Sequence, residues 1–165
     1  MSLSHSLYKS HEMIYHKDYL RYPMNSLSSL FYIIPLFNPI ITIYGSLLLI
    51  GLTVSSTIWW ATSTKTSQYF DLLFLSGTQV WILSKSIQND YLNFAMVPMV
   101  FIRDNTIKNL FIVNNSLFLI VSSTNYTSRI LFIASLLFKF SDTYGKCPFG
   151  TAVFHLLSSL SIYYL

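Results

Sequence analysis

The chain has 165 residues, of which 53% are hydrophobic and only 10% are Asp, Glu, Lys or Arg, where a soluble domain carries roughly 25% charged residues. Its single cysteine, Cys147, excludes an intrachain disulfide and any cysteine-rich metal site. The formal charge of +4 comes from basic residues scattered singly at the ends of apolar runs, so no nucleic-acid partner is expected.

Taken in chain order, residues 1–22 form a polar segment suited to water, a membrane surface or a partner protein. They lack the long apolar core of a signal peptide and are not the acid-free, Arg-rich helix of a transit peptide, so no cleavable targeting segment is expected. The run "HEMIYH" (His11 to His16) is one residue too long for a zincin motif, which needs two histidines four residues apart on one helix face. Residues 23–165 read as one all-α transmembrane domain of about seven short helices. The apolar segments are 26–37, 39–61, 70–83, 91–102, 110–122, 129–140 and 149–165, and only the second is a full-length span. A helix of about 14 residues covers roughly 21 Å against about 30 Å of hydrocarbon, so the shorter segments must extend into their flanks, thin the bilayer or be shielded by protein.

Pro39 is expected in the first turn of the second helix, Pro98 to interrupt the fourth, and Pro148 to start the last. With seven spans, Lys9, Lys17, Arg21, Lys65, Arg103, Lys108, Lys139 and Lys146 fall on the side of the N-terminus, and Lys85 and Arg129 on the other. That bias places the N-terminus on the cytosolic or matrix side. Trp59 and Trp60 fall where the second span leaves the bilayer, an interfacial position for tryptophan. Ser28, Ser29, Ser55, Ser56, Ser158 and Ser159 are small enough to let helices approach closely.

Two ionisable residues lie inside apolar segments: Asp71, at the start of the third, and His155, about two turns into the last. Either they serve chemistry, which is what intramembrane ionisable groups generally mark, or they tie helices together. A small transporter or proton path through the pair is a further reading, and it predicts a hydrated cavity reaching a membrane face. The alternation of spans brings Ser56, Trp60, Asp71, Thr151 and His155 to similar depth near one face, so three helices can converge there.

These residues carry a family pattern. The chain resembles the CREST superfamily of seven-span membrane hydrolases, which includes the alkaline ceramidases and PAQR receptors, from about Tyr22 to the C-terminus. Those proteins carry S-x3-H at the end of span two, an aspartate in span three and H-x3-H in span seven. Ser56 matches the serine, Asp71 the aspartate and His155 the second histidine of span seven. "YPMNSLSSLFYI" is similar to the family's first span, with Asn25 and Ser28 in place, and "CPFGTAVFHLLSSLSIYY" to its last. The resemblance implies a zinc ion on three histidines, with the serine and aspartate orienting a zinc-bound water that attacks an amide. Two of those histidine positions are Trp60 and Thr151 here, and zinc takes Cys, His, Asp or Glu.

The resemblance therefore implies a vestigial site (Ser56, Trp60, Asp71, Thr151, His155) with no catalytic residue, cofactor or metal. The expected role is that of a structural accessory subunit packed against other subunits and phospholipids of a large membrane complex. A respiratory or ATP-synthase assembly of a protist mitochondrial inner membrane is the first expectation for location, and the endoplasmic reticulum or Golgi the alternative. The competing expectation for function is an active zinc-dependent lipid amide hydrolase with an atypical site.

Overall fold

The computed structural model describes residues 22–143 and 149–165, and among them every regular element is helical. The seven apolar segments each hold one helical stretch. Helix α1 (Pro23–Ser28) runs on into a 3-10 helix (Ser29–Phe37). Then come α2 (Ile43–Thr62), α3 (Lys65–Ser86), a 3-10 helix (Asp90–Ala95) leading into α4 (Met96–Phe101), α5 (Asn105–Ser122), α6 (Tyr126–Thr143) and α7 (Gly150–Tyr163).

Local chemistry sets the boundaries. Thr42 accepts from the Gly45 N–H at 3.2 Å and so starts α2 at Ile43, which leaves Pro39 in the preceding turn rather than in the helix as expected. Ser63, at φ 52°, stops α2, and Thr64 accepts from the Ser67 N–H at 3.1 Å to begin α3. Only two residues separate these helices, so α2 and α3 form a tight antiparallel hairpin. The early start of α3 also corrects the placement of Asp71, which lies two turns inside the helix and not at its beginning. The fourth segment changes from 3-10 to α geometry just before Pro98, in line with the expected interruption. Pro148, Cys147, Lys146 and the histidines of the N-terminal segment lie outside the described residues.

Helix α2 packs on α3, α3 on α5, and α6 on α7, while the Ser29–Phe37 helix wedges between α2 and α7. Helices α5 and α6 barely touch. An apolar core of Leu48, Leu49, Trp81, Ile82, Leu119 and Ile162 closes one end of the bundle. Gly150 is required where α7 meets α6: a Cβ there would lie 2.6 Å from Asp142 Cβ and strike the Phe138 carbonyl.

The polarity of the bundle is inverted. Among the described residues, buried polar residues outnumber buried apolar ones, and Ser29, Ser76, Ser84, Ser135 and Ser159 are fully enclosed. Large apolar residues cover the outside, among them Ile43 at 83% exposure and Val121 at 79%. One helix among the described residues, Ile43–Thr62, is long and apolar enough to cross a membrane. Two cations assigned by sequence to the membrane flanks are enclosed instead: Lys108 stacks 3.2 Å over the Tyr69 ring, and Lys139 points into the bundle.

Candidate functional site

The tight α2–α3 hairpin sets Ser56 beside Asp71, and the Ser56 hydroxyl hydrogen-bonds the carboxylate. Ser29 donates to Ser56 Oγ at 3.0 Å, which ties the Ser29–Phe37 helix into the same cluster. His155 comes from α7. Its Nδ1 lies 2.8 Å from Ser28 Oγ, whose single proton is shared between His155 and the Asn25 carbonyl at 3.0 Å. With that proton on the carbonyl side, Nδ1–H donates to Ser28 and Nε2 is left as the acceptor. Around the imidazole stand Tyr32 at 5.4 Å, Phe154 at 5.7 Å and Trp60 at 6.3 Å, centroid to centroid. The Tyr32 hydroxyl pairs with Ser158. Trp60 is thus half-buried against the site, with Tyr22 packed edge-on at 5.6 Å.

Thr151 is the second residue of α7 and is fully buried. Its N–H donates to Asp142 Oδ2 at 3.2 Å, and its hydroxyl donates to the same oxygen. Asp142, from the end of α6, therefore caps the N-terminus of α7, which lacks a side-chain cap of its own. Lys139 Nζ donates to Thr151 Oγ1 at 2.9 Å and lies 5.1 Å from the Trp60 ring centroid. Asp71 and Asp142 both act electrostatically on this ammonium. Two hydrogen-bonded chains meet at the site, Lys139 to Thr151 to Asp142 and Ser29 to Ser56 to Asp71, and the charge of Lys139 couples them.

These groups border a cavity of about 670 Å³. Tyr32, Ser56, Trp60, Asp71, Lys139 and His155 form its polar end, and Thr151 reaches it only through Lys139. The cavity continues along α3 as far as Ser86, roughly 22 Å at 1.5 Å per residue, with mostly apolar walls. Leu117 of α5 and Phe140 of α6 line it while more than half exposed, so it opens between these two helices.

No protein-family model, curated protein or solved structure matches the chain.

All five residues singled out by sequence gather at this end of the bundle. Zinc does not fit the donors they offer. Trp60 presents a ring face, Thr151 is committed to Asp142, and the Lys139 ammonium stands where a second cation would be repelled. Among the described residues no three His, Cys, Asp or Glu side chains come together. Sequence reasoning missed Lys139 and Asp142, which were treated as flank charges or passed over. Their signal was available: three residues apart in "LLFKFSD", they share one helix face.

Proposed function

We propose that the chain is a membrane-embedded, non-catalytic helical bundle with a CREST-like frame, acting as a structural accessory subunit of a larger membrane complex. The observation that carries this reading is the Lys139–Thr151–Asp142 network at the position the resemblance assigns to a metal ligand. A protein cation with its own hydrogen bonds fills the polar centre, so the cluster joins α2, α3, α6, α7 and the first helix without a metal. The inverted polarity of the bundle supports the membrane setting: small polar residues let helices approach, and apolar side chains face outward. The laterally open apolar cavity supports ordered lipid as part of the packing. A protist mitochondrial inner-membrane assembly is the proposed location.

The same cavity favours a second reading, an active lipid amide hydrolase with an atypical metal site, because its length matches an extended acyl chain. Metal analysis of the protein purified from its native membrane separates the two. The structural reading expects no stoichiometric zinc and co-migration with a large assembly on native gels. Stoichiometric zinc lost on His155→Ala, or isolation as a free monomer that cleaves lipid amides, would overturn it.

A further inference from the structure

Helices α5 and α6 are joined by residues 123–125 alone, yet they barely touch. Helices linked so closely normally pack side by side. The cavity of about 670 Å³ occupies the space where that contact would be. One face of each helix lines it, with Ile112, Ser116 and Leu119 on α5 and Phe132, Leu136 and Phe140 on α6, at the three- and four-residue spacing of a helix face. The result is a slot with mostly apolar walls that opens to the outside of the bundle.

The two ends of this slot differ in charge. Among the described residues, the charged side chains on its wall are Asp71, Arg129 and Lys139. Lys139 interacts with two acids, Asp71 and Asp142, so that end has no positive charge to spare. Arg129 lies ten residues before Lys139 on α6, about 15 Å away at 1.5 Å per residue. Helices α3 and α5 end on its side of the bundle, and no acid pairs with it among the described residues. One guanidinium nitrogen, Nη2, donates to the Ser123 carbonyl at the end of α5. Nη1 makes no hydrogen bond among the described residues and, unlike the sealed Nε, keeps accessible surface. The Ser86 hydroxyl, at the end of α3 and on the same wall, has no partner among them either. A partly buried cation beside apolar walls and without an acid calls for an anion. A zwitterionic lipid would bring an ammonium group that no carboxylate at this end receives.

We propose that the slot between α5 and α6 holds an acyl chain of an anionic phospholipid whose phosphate is bound by Arg129. The phosphate accepts from Arg129 Nη1–H and the Ser86 hydroxyl. The chain runs past Phe132 and Leu136 toward Trp60 and stands in for the missing contact between the two helices. The inference deepens the membrane reading, on which it rests, by naming the class of lipid and the residue that selects it.

The test uses the full chain, delipidated in detergent, and native mass spectrometry with dioleoyl-phosphatidylglycerol, dioleoyl-phosphatidylcholine, dihexanoyl-phosphatidylglycerol and inorganic phosphate. Dioleoyl-phosphatidylglycerol should bind most tightly. Arg129→Gln, whose amide can still donate to the Ser123 carbonyl, should weaken it roughly tenfold, the loss expected for a charge-assisted hydrogen bond, and erase the preference over phosphatidylcholine. Leu136→Trp, which fills the slot, should weaken both dioleoyl lipids. Equal binding of the two dioleoyl lipids by the wild type overturns the proposal. So does dihexanoyl lipid or inorganic phosphate binding as tightly as dioleoyl-phosphatidylglycerol, or unchanged binding by Arg129→Gln or Leu136→Trp. If Arg129→Gln loses its helical circular dichroism, Ser86→Asp, which sets a carboxylate at the same end, carries the same expectation and the same refutation. Alkaline carbonate extraction keeps the two readings apart: release from the membrane removes the membrane assignment itself, whereas retention with unaffected variants removes only this site.

Discussion

Replacing Lys139 by Met tests the reading of the polar cluster most directly. The substitution keeps most of the side-chain volume and removes the ammonium, so packing changes little while the charge balance changes completely. Asp71 and Asp142 then lose the cation that acts on both, and Thr151 loses the donor 2.9 Å away. Removing one partner of a buried ion pair costs about 3–5 kcal/mol; the cavity beside Asp71 admits some solvation, which puts the expected loss at about 3 kcal/mol. For a chain of this size that corresponds to a fall of roughly 6–12 °C in the unfolding midpoint. Thermal unfolding of the purified protein in detergent, followed by tryptophan fluorescence, measures it. The double variant Lys139→Met with Asp142→Asn should recover at least half of the loss, because the amide removes one of the stranded charges and can still accept from the Thr151 N–H. A single variant that melts with the wild type, or a double variant no better than the single, would refute the idea that Lys139 balances the two carboxylates.

Other outcomes follow from the same geometry. His155→Gln retains a group able to pair with Ser28 and should cost within about 1 kcal/mol, whereas His155→Ala leaves a void among three aromatic rings and should cost about 2–4 kcal/mol by thermal unfolding. Thr64→Ala removes the cap of α3 and should cost about 1 kcal/mol, read as a small fall in the same midpoint. Gly45→Ala pushes a methyl group into Trp81 and should destabilise by about 1–3 kcal/mol; a neutral result would mean the indole is not seated on α2. The triple variant Trp60→His, Thr151→His, Lys139→Met should acquire stoichiometric zinc by elemental analysis if the frame is CREST-like, and failure of the folded variant to take up zinc would count against that kinship.

The helical segments were legible because hydrophobic runs and their interruptions are local properties. The hairpin between α2 and α3 was less so, since the apolar run ends at Leu83 and starts at Phe70 while caps at Thr64 and Ser63 extend and close the helices through polar residues. The gathering of Ser56, Asp71 and His155 was also foreseeable, because alternating spans of similar length bring corresponding depths together. The role of Lys139 was not. A lysine near the end of an apolar segment reads as a membrane-surface charge, and only the approach of α7 to α6, permitted by Gly150, turns it inward onto Thr151.

By itself, the sequence determined the helical class of the described residues, the positions of the seven segments and the set of polar residues that share one end. Tertiary structure decided what those residues do to one another. Asp142 caps α7 from α6, Lys139 feels the charge of acids on two different helices, and Trp81 is buried with its six-membered ring against Gly45 in the first turn of α2. Periodicity fixes which way a residue faces on its own helix. Whether that face meets lipid, a cavity or an opposite charge depends on helices far away in the chain.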